Sequence, residues 1–114
     1  MQYEDALRLV REETLGDQSV VVAARMADPI EIARLDEIVR ALRAIFEQLK
    51  GATTLDRELG LSLHCLVTML PQEVESWARA SRRPTPEPLR DALIRVEMAV
   101  ESIFLDSWVG FMGS

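Results

Sequence analysis

The run from Ile32 to Leu49 constrains this chain's fold more than any other segment. Ile32, Leu35, Ile38, Val39, Leu42, Ile45, Phe46 and Leu49 recur three and four residues apart. That spacing gathers them on one side of an α-helix and on no single face of a strand. Asp28 can cap such a helix, Pro29 sits at its first position, Glu31 completes a capping box and Gly51 marks its end, so the pattern predicts a helix over 28–50. Leu89, Leu93, Val96, Val100, Ile103 and Phe104 repeat the pattern, with Thr85 as cap, Pro86 or Pro88 in the first turn and Trp108 near the end. Two long helices with wide apolar faces must bury them against other elements, and these two form the expected framework.

The remaining segments are shorter. Tyr3, Ala6, Leu7, Val10 and Leu15 keep helical spacing up to a stop at Gly16. Asp17–Ala27 holds three successive β-branched residues, Val20, Val21 and Val22, and reads as a short buried helix or as a strand. The odd positions from Leu61 to Met69 are all apolar, which leaves strand and helix open there too. Helix is preferred for both because a strand would have no sheet to join. A piece starting at Thr53 or Thr54 is expected to end at Gly60, and a helix capped by Ser62 to run through Leu70. Pro71 is expected to hold Leu70 extended and to start a new helix with Val74, Trp77 and Ala78 inward. The result is an all-α single domain over 1–114, a compact bundle of five or six helices with a hairpin of helix-turn-helix kind within 54–90.

At 114 residues, with 48% hydrophobic and 28% charged residues, the composition is that of one ordinary globular domain. No apolar run approaches the roughly 20 residues that span a bilayer. The opening Met1-Gln2-Tyr3-Glu4-Asp5 lacks the basic and apolar regions of a secretory signal. The single cysteine, Cys65, excludes an intramolecular disulfide. A cytoplasmic protein without membrane contact is expected. The net charge of −6 opposes nonspecific nucleic-acid binding, yet Arg79, Arg82, Arg83 and Arg90 fall close together with Glu87 the one acid among them.

That basic cluster belongs to a longer stretch. Gly60-Leu61-Ser62, the leucines Leu66 and Leu70, the Val74-x-x-Trp77 pair and the exit Arg79, Arg82, Arg83, Pro84 together resemble the helix-turn-helix of Cro/repressor-type DNA-binding domains over residues 58–90, with the turn before Pro71 shortened by about three residues. The resemblance implies a steep crossing of two helices, the second entering the major groove. It implies that Gln72, Glu73 and Ser76 probe bases while Arg79, Arg82 and Arg83 contact phosphates. It also implies a homodimer reading two half-sites. The chain departs from the family at Val67 and Ala80, where small residue and glycine are usual, and Glu73 and Glu75 set carboxylates beside phosphates.

The expected function is therefore a small, dimeric, DNA-binding transcriptional regulator. The alternative is an acidic helical protein–protein interaction module of adaptor, antitoxin or immunity-inhibitor type that does not bind DNA. No enzyme, metal or cofactor is expected. His64 and Cys65 point about 100° apart on a helix and have no second histidine or Cys-x-x-Cys to join. Glu97 and Glu101 form a like-charge strip, and the glycines are too scattered to cradle phosphate. Trp108, Phe111 and Met112 make an apolar end, expected to dock on the chain's own core or on a second subunit.

Overall fold

The computed structural model describes residues 1–110, and all regular elements within them are helical. They are α1 (Tyr3–Leu15), α2 (Val20–Arg25), α3 (Ile32–Gln48), α4 (Arg57–His64), a π-helical turn (Cys65–Met69), α5 (Leu70–Ser81) and α6 (Glu87–Leu105). The radius of gyration is 13.7 Å, close to the ~13 Å of a tightly packed domain of about this size. Helix α3 lies at the centre, with α1 and α6 packed along it. Its apolar stripe supplies the middle of the core: Leu35, Ile38, Leu42 and Ile45 are completely buried. Facing them are Ala6 and Val10 of α1 and Ala92, Val96, Ala99 and Val100 of α6, all buried. Short α2 packs across α5 and supplies buried Val20, Val21 and Ala24. The three valines of α2 therefore belong to a helix, capped by the Ser19 hydroxyl accepting from Val22 N–H at 3.1 Å.

The second half differs from the expected hairpin. Cys65, Met69 and Leu70 all have right-handed helical backbone, Leu70 at φ −61° and ψ −52°, so α4, the π turn and α5 follow one another without a turn. Proline inside a regular α-helix collides with the carbonyl four residues back and leaves it without a donor. Here the Leu70 N–H donates to the Cys65 carbonyl, five residues back, and so widens the helix just before Pro71. A π turn is a known way to absorb such an insult without breaking the rod. Leu70 is accordingly helical and fully buried, not extended.

Two caps also move. Asp56, rather than Thr53, Thr54 or Ser62, caps α4, its carboxylate accepting Leu59 N–H at 3.2 Å, and Gly60 lies inside that helix. Ser62 is buried. Helix α3 starts at Ile32, with Glu31 as N-cap and no side-chain capping bond. Asp28 is committed elsewhere: its N–H donates to Ala23 O at 2.9 Å while Ala27 takes a left-handed φ of 59°. That pair closes the end of α2 in a Schellman motif, so Asp28 and Pro29 terminate one helix instead of opening the next. Residues 28–31 are consequently non-helical, and Pro86, not Thr85, is the N-cap of α6.

A carboxylate–guanidinium clamp ties three elements together. Glu13 of α1 receives Arg34 Nε at 2.6 Å and Nη2 at 2.5 Å, and also the Val20 N–H that opens α2 at 3.1 Å. The same guanidinium donates to Gln18 O. Hydrogen bonding to Glu13 raises the Arg34 pKa above its ordinary range. A raised pKa means that, while Glu13 is ionised, the arginine's contribution is present below its ordinary pKa and is lost as the pH rises into strong alkali.

The segment just after α6 packs on the body of the domain. Asp106, left-handed at φ 55°, accepts Gly51 N–H with both carboxylate oxygens at 3.0 and 3.1 Å. Trp108 meets Phe46 of α3 edge-on at 5.4 Å, and Arg43 lies 4.5 Å over the Trp108 ring. Of the expected apolar end, Trp108 thus docks on α3, while Phe111 and Met112 lie outside the described residues.

Candidate functional site

Helix α5 carries four of the six residues assigned to DNA contact, and the structure divides them. Gln72, Ser76 and Arg79 recur at helical spacing and are all exposed on its outward side. Glu73 turns away toward α2, where its side chain is 28% exposed and lies 3.6 Å from Arg25 Nε. Arg79 pairs with Glu75 one turn back at 3.0 Å. Both side chains are about three-quarters exposed, so this contact is worth under ~1 kcal/mol and yields readily. Arg82 and Arg83 lie beyond the helix in its terminal motif. Arg82 is left-handed at φ 57°, and Arg83 N–H donates to Ala78 O at 3.1 Å. Their backbones close α5 and their side chains are exposed. Among the described residues, no ion pair involves Arg82, Arg83 or Arg90.

Beside this basic end lies a feature that periodicity does not reveal. An open groove of about 410 Å³ runs between the α2–α3 connection, α5 and the start of α6. Ile30, Ile32, Val74, Trp77, Pro88 and Leu89 give it an apolar lining, and among the described residues Asp28 is the one charged side chain in it. The local backbone explains why it is open. The Schellman turn at Ala27 and the delayed start of α3 swing Pro29 and Ile30 outward as one wall. The left-handed exit of α5 and the proline-rich loop from Pro84 to Pro88 form the other. Trp77 is half-buried, with part of its surface left to the groove rather than the core. Ile32, Val74, Trp77 and Leu89 follow helical spacing, but Pro29, Ile30, Pro86 and Pro88 come from loops and helix ends, where no repeating spacing advertises them as parts of one surface. Pro-x-Pro-x-Pro-Leu at 84–89 and Pro29-Ile30 are the only sequence signals, apolar residues in connections where polar ones are usual.

The chemistry-bearing residues elsewhere are inert or isolated. Cys65 is 4% exposed, its Sγ 3.7 Å from Met69 Sδ, and burial pushes its thiol pKa up. The thiolate that would be the nucleophile is thus disfavoured. His64 is exposed and faces Thr68, not Cys65. Among the described residues no three His, Cys, Asp or Glu side chains gather in a way that could hold a metal ion, and no helix is long and apolar enough to cross a membrane. No family model, curated protein or solved structure matches the chain.

Proposed function

We propose that this chain is an acidic helical module that binds another protein through the groove between the α2–α3 connection, α5 and α6. The observation that carries this reading is the groove itself: an open apolar surface with a tryptophan in its wall, at a place where ordinary connections are polar. Exposed apolar surface of this kind, bordered by charge, is characteristic of recognition sites. Tryptophan and arginine are also the residues that most often dominate binding energy. The overall charge of −6 fits a protein partner better than a polyanion. Nothing in the groove offers the convergent polar groups of a catalytic pocket.

A second reading, the DNA-binding regulator of helix-turn-helix kind, is favoured by one observation. Gln72, Ser76 and Arg79 stand side by side on an exposed helix face, and Arg82 and Arg83 follow them. Against it, α5 continues from α4 through the π turn, so its first residues do not project as a free helix end into a groove. Exposed Ile94, Phe104 and Leu105 on α6 would serve the dimer that this reading requires.

One experiment separates the two. The folded chain is immobilised and exposed to extract of its source cells, with and without nuclease treatment, beside a Pro88→Glu variant. Pro88 is exposed in the first turn of α6 and lines the groove. An acid there is favourable to the helix and hostile to an apolar occupant. The expected result is one protein retained in stoichiometric amount by the original chain and lost from the variant. Retention of nucleic acid alone, abolished by nuclease and by Arg79→Ala but not by Pro88→Glu, would instead establish the DNA reading.

A further inference from the structure

We infer that the groove's occupant is a segment of another protein that seats a bulky apolar side chain over Trp77 and sets a lysine or arginine against Asp28. The inference rests on the protein-binding reading and specifies the partner's chemistry. The floor dictates the apolar part. Its volume of about 410 Å³ is more than twice the ~150 Å³ of an engineered apolar cavity that takes up benzene. A ring-sized side chain and a neighbour therefore fit together over Val74, Trp77 and Leu89.

Asp28 dictates the charge. It is the one charged side chain lining the groove among the described residues. Its backbone is held in place, because its N–H closes α2 on Ala23 O at 2.9 Å and Pro29 restricts it from the other side. The residue is exposed, and among the described residues its carboxylate joins no ion pair. A fixed, unpaired carboxylate beside an apolar floor offers a charge-assisted hydrogen bond to an ammonium or guanidinium group. Lysine and arginine suit the place for a second reason. Their aliphatic stems can lie along apolar surface while the charged head reaches past it to the acid.

Arg82, Arg83 and Arg90 are not among the lining residues, so the charge that an occupant meets inside the groove is the aspartate's. The rest of the molecule acts in the same direction. A net charge of −6 draws a basic segment toward the chain and repels an acidic one. A nucleic acid would bring phosphates toward Asp28 and leave the apolar floor empty, so DNA is a competing outcome of the test.

A random-sequence peptide library displayed on phage is selected on the immobilised full chain, and the most enriched peptide is synthesised. Enriched peptides are expected to combine Trp, Phe or Leu with a nearby Lys or Arg and to carry net positive charge. Affinity of the synthetic peptide should fall about tenfold in Pro88→Gln, which puts a neutral polar group against the apolar anchor. It should fall roughly threefold to tenfold in Asp28→Asn, which removes the charge and keeps the shape. Thermal midpoints should be unchanged in both variants. The same selection on Asp28→Lys should keep the apolar anchor and replace the neighbouring cation by Asp or Glu. Peptides that Pro88→Gln weakens but that carry no cation, and that bind Asp28→Asn and Asp28→Lys as well as the original chain, would overturn the basic partner while leaving the protein-binding reading intact. Absence of any peptide that Pro88→Gln weakens, whether or not a DNA duplex binds instead, would overturn both.

Discussion

Replacing Leu42 with alanine should lower the stability of this protein by about 3 kcal/mol, the usual cost of removing a large buried aliphatic side chain and leaving its space unfilled. Leu42 is completely buried midway along α3, the helix against which both α1 and α6 pack. A void there is bounded by three rigid elements and collapses poorly. For a domain of this size the loss corresponds to a fall of roughly 12 °C in thermal midpoint, measurable by circular dichroism. Total stabilities are commonly about 5–15 kcal/mol, so the variant retains the fold but with little margin. A fall of only a degree or two would mean that α3 is not the centre of the core.

Arg34→Ala is expected to cost about 2 kcal/mol, within the range for stranding a partly buried hydrogen-bonding group. The Glu13 side chain is only 15% exposed and Arg34 32% exposed, and the pair joins α1, the start of α2 and α3. Without the guanidinium, the Glu13 carboxylate keeps the Val20 N–H alone. Lysine at position 34 should not restore the loss, because one ammonium cannot reproduce the fork that also reaches Gln18 O. A double-mutant cycle with Glu13→Ala, followed by urea denaturation, should give a coupling energy above about 1 kcal/mol. Additive effects of the two substitutions would show that the clamp contributes nothing jointly.

The framework was legible because it obeys a period. The stripes from Ile32 to Leu49 and from Leu89 to Phe104 could only be helical, and their most regular members are the residues found buried at the centre. The exceptions fall where the stripe meets the surface: Phe104 is 60% exposed although it continues the pattern. Helix ends were much less legible. Three of them, at Ala27, Arg82 and Asp106, use left-handed residues other than glycine, so the usual punctuation is missing. The glycine at position 60 signals a stop yet sits within α4, where an added Cβ would meet nothing.

Pro71 was the most misleading residue. Its local preference is to end a helix, but Leu66, Leu70 and Val74 are all buried on the same rod, and tertiary burial outweighs that preference once a π turn removes the clash. The candidate site suffers from the same limitation. The outward trio Gln72, Ser76 and Arg79 follows from helical spacing. Glu73 could not be assigned to Arg25 without knowing that α2 crosses α5. The groove needed the relative positions of α5 and two separate connections, and neither connection carries a periodic signal.

The groove depends on residues 57–81 forming one rod, since a bent hairpin would project α5 from the body and dismantle the wall that Val74 and Trp77 lend to it. Nitroxide labels on cysteines introduced at exposed Arg57 and Ala80 can measure this by pulsed electron paramagnetic resonance. A continuous helix rising ~1.5 Å per residue predicts a separation of about 30–35 Å. Two short helices crossing steeply would bring the labels to roughly 20–25 Å, and that result would contradict the account.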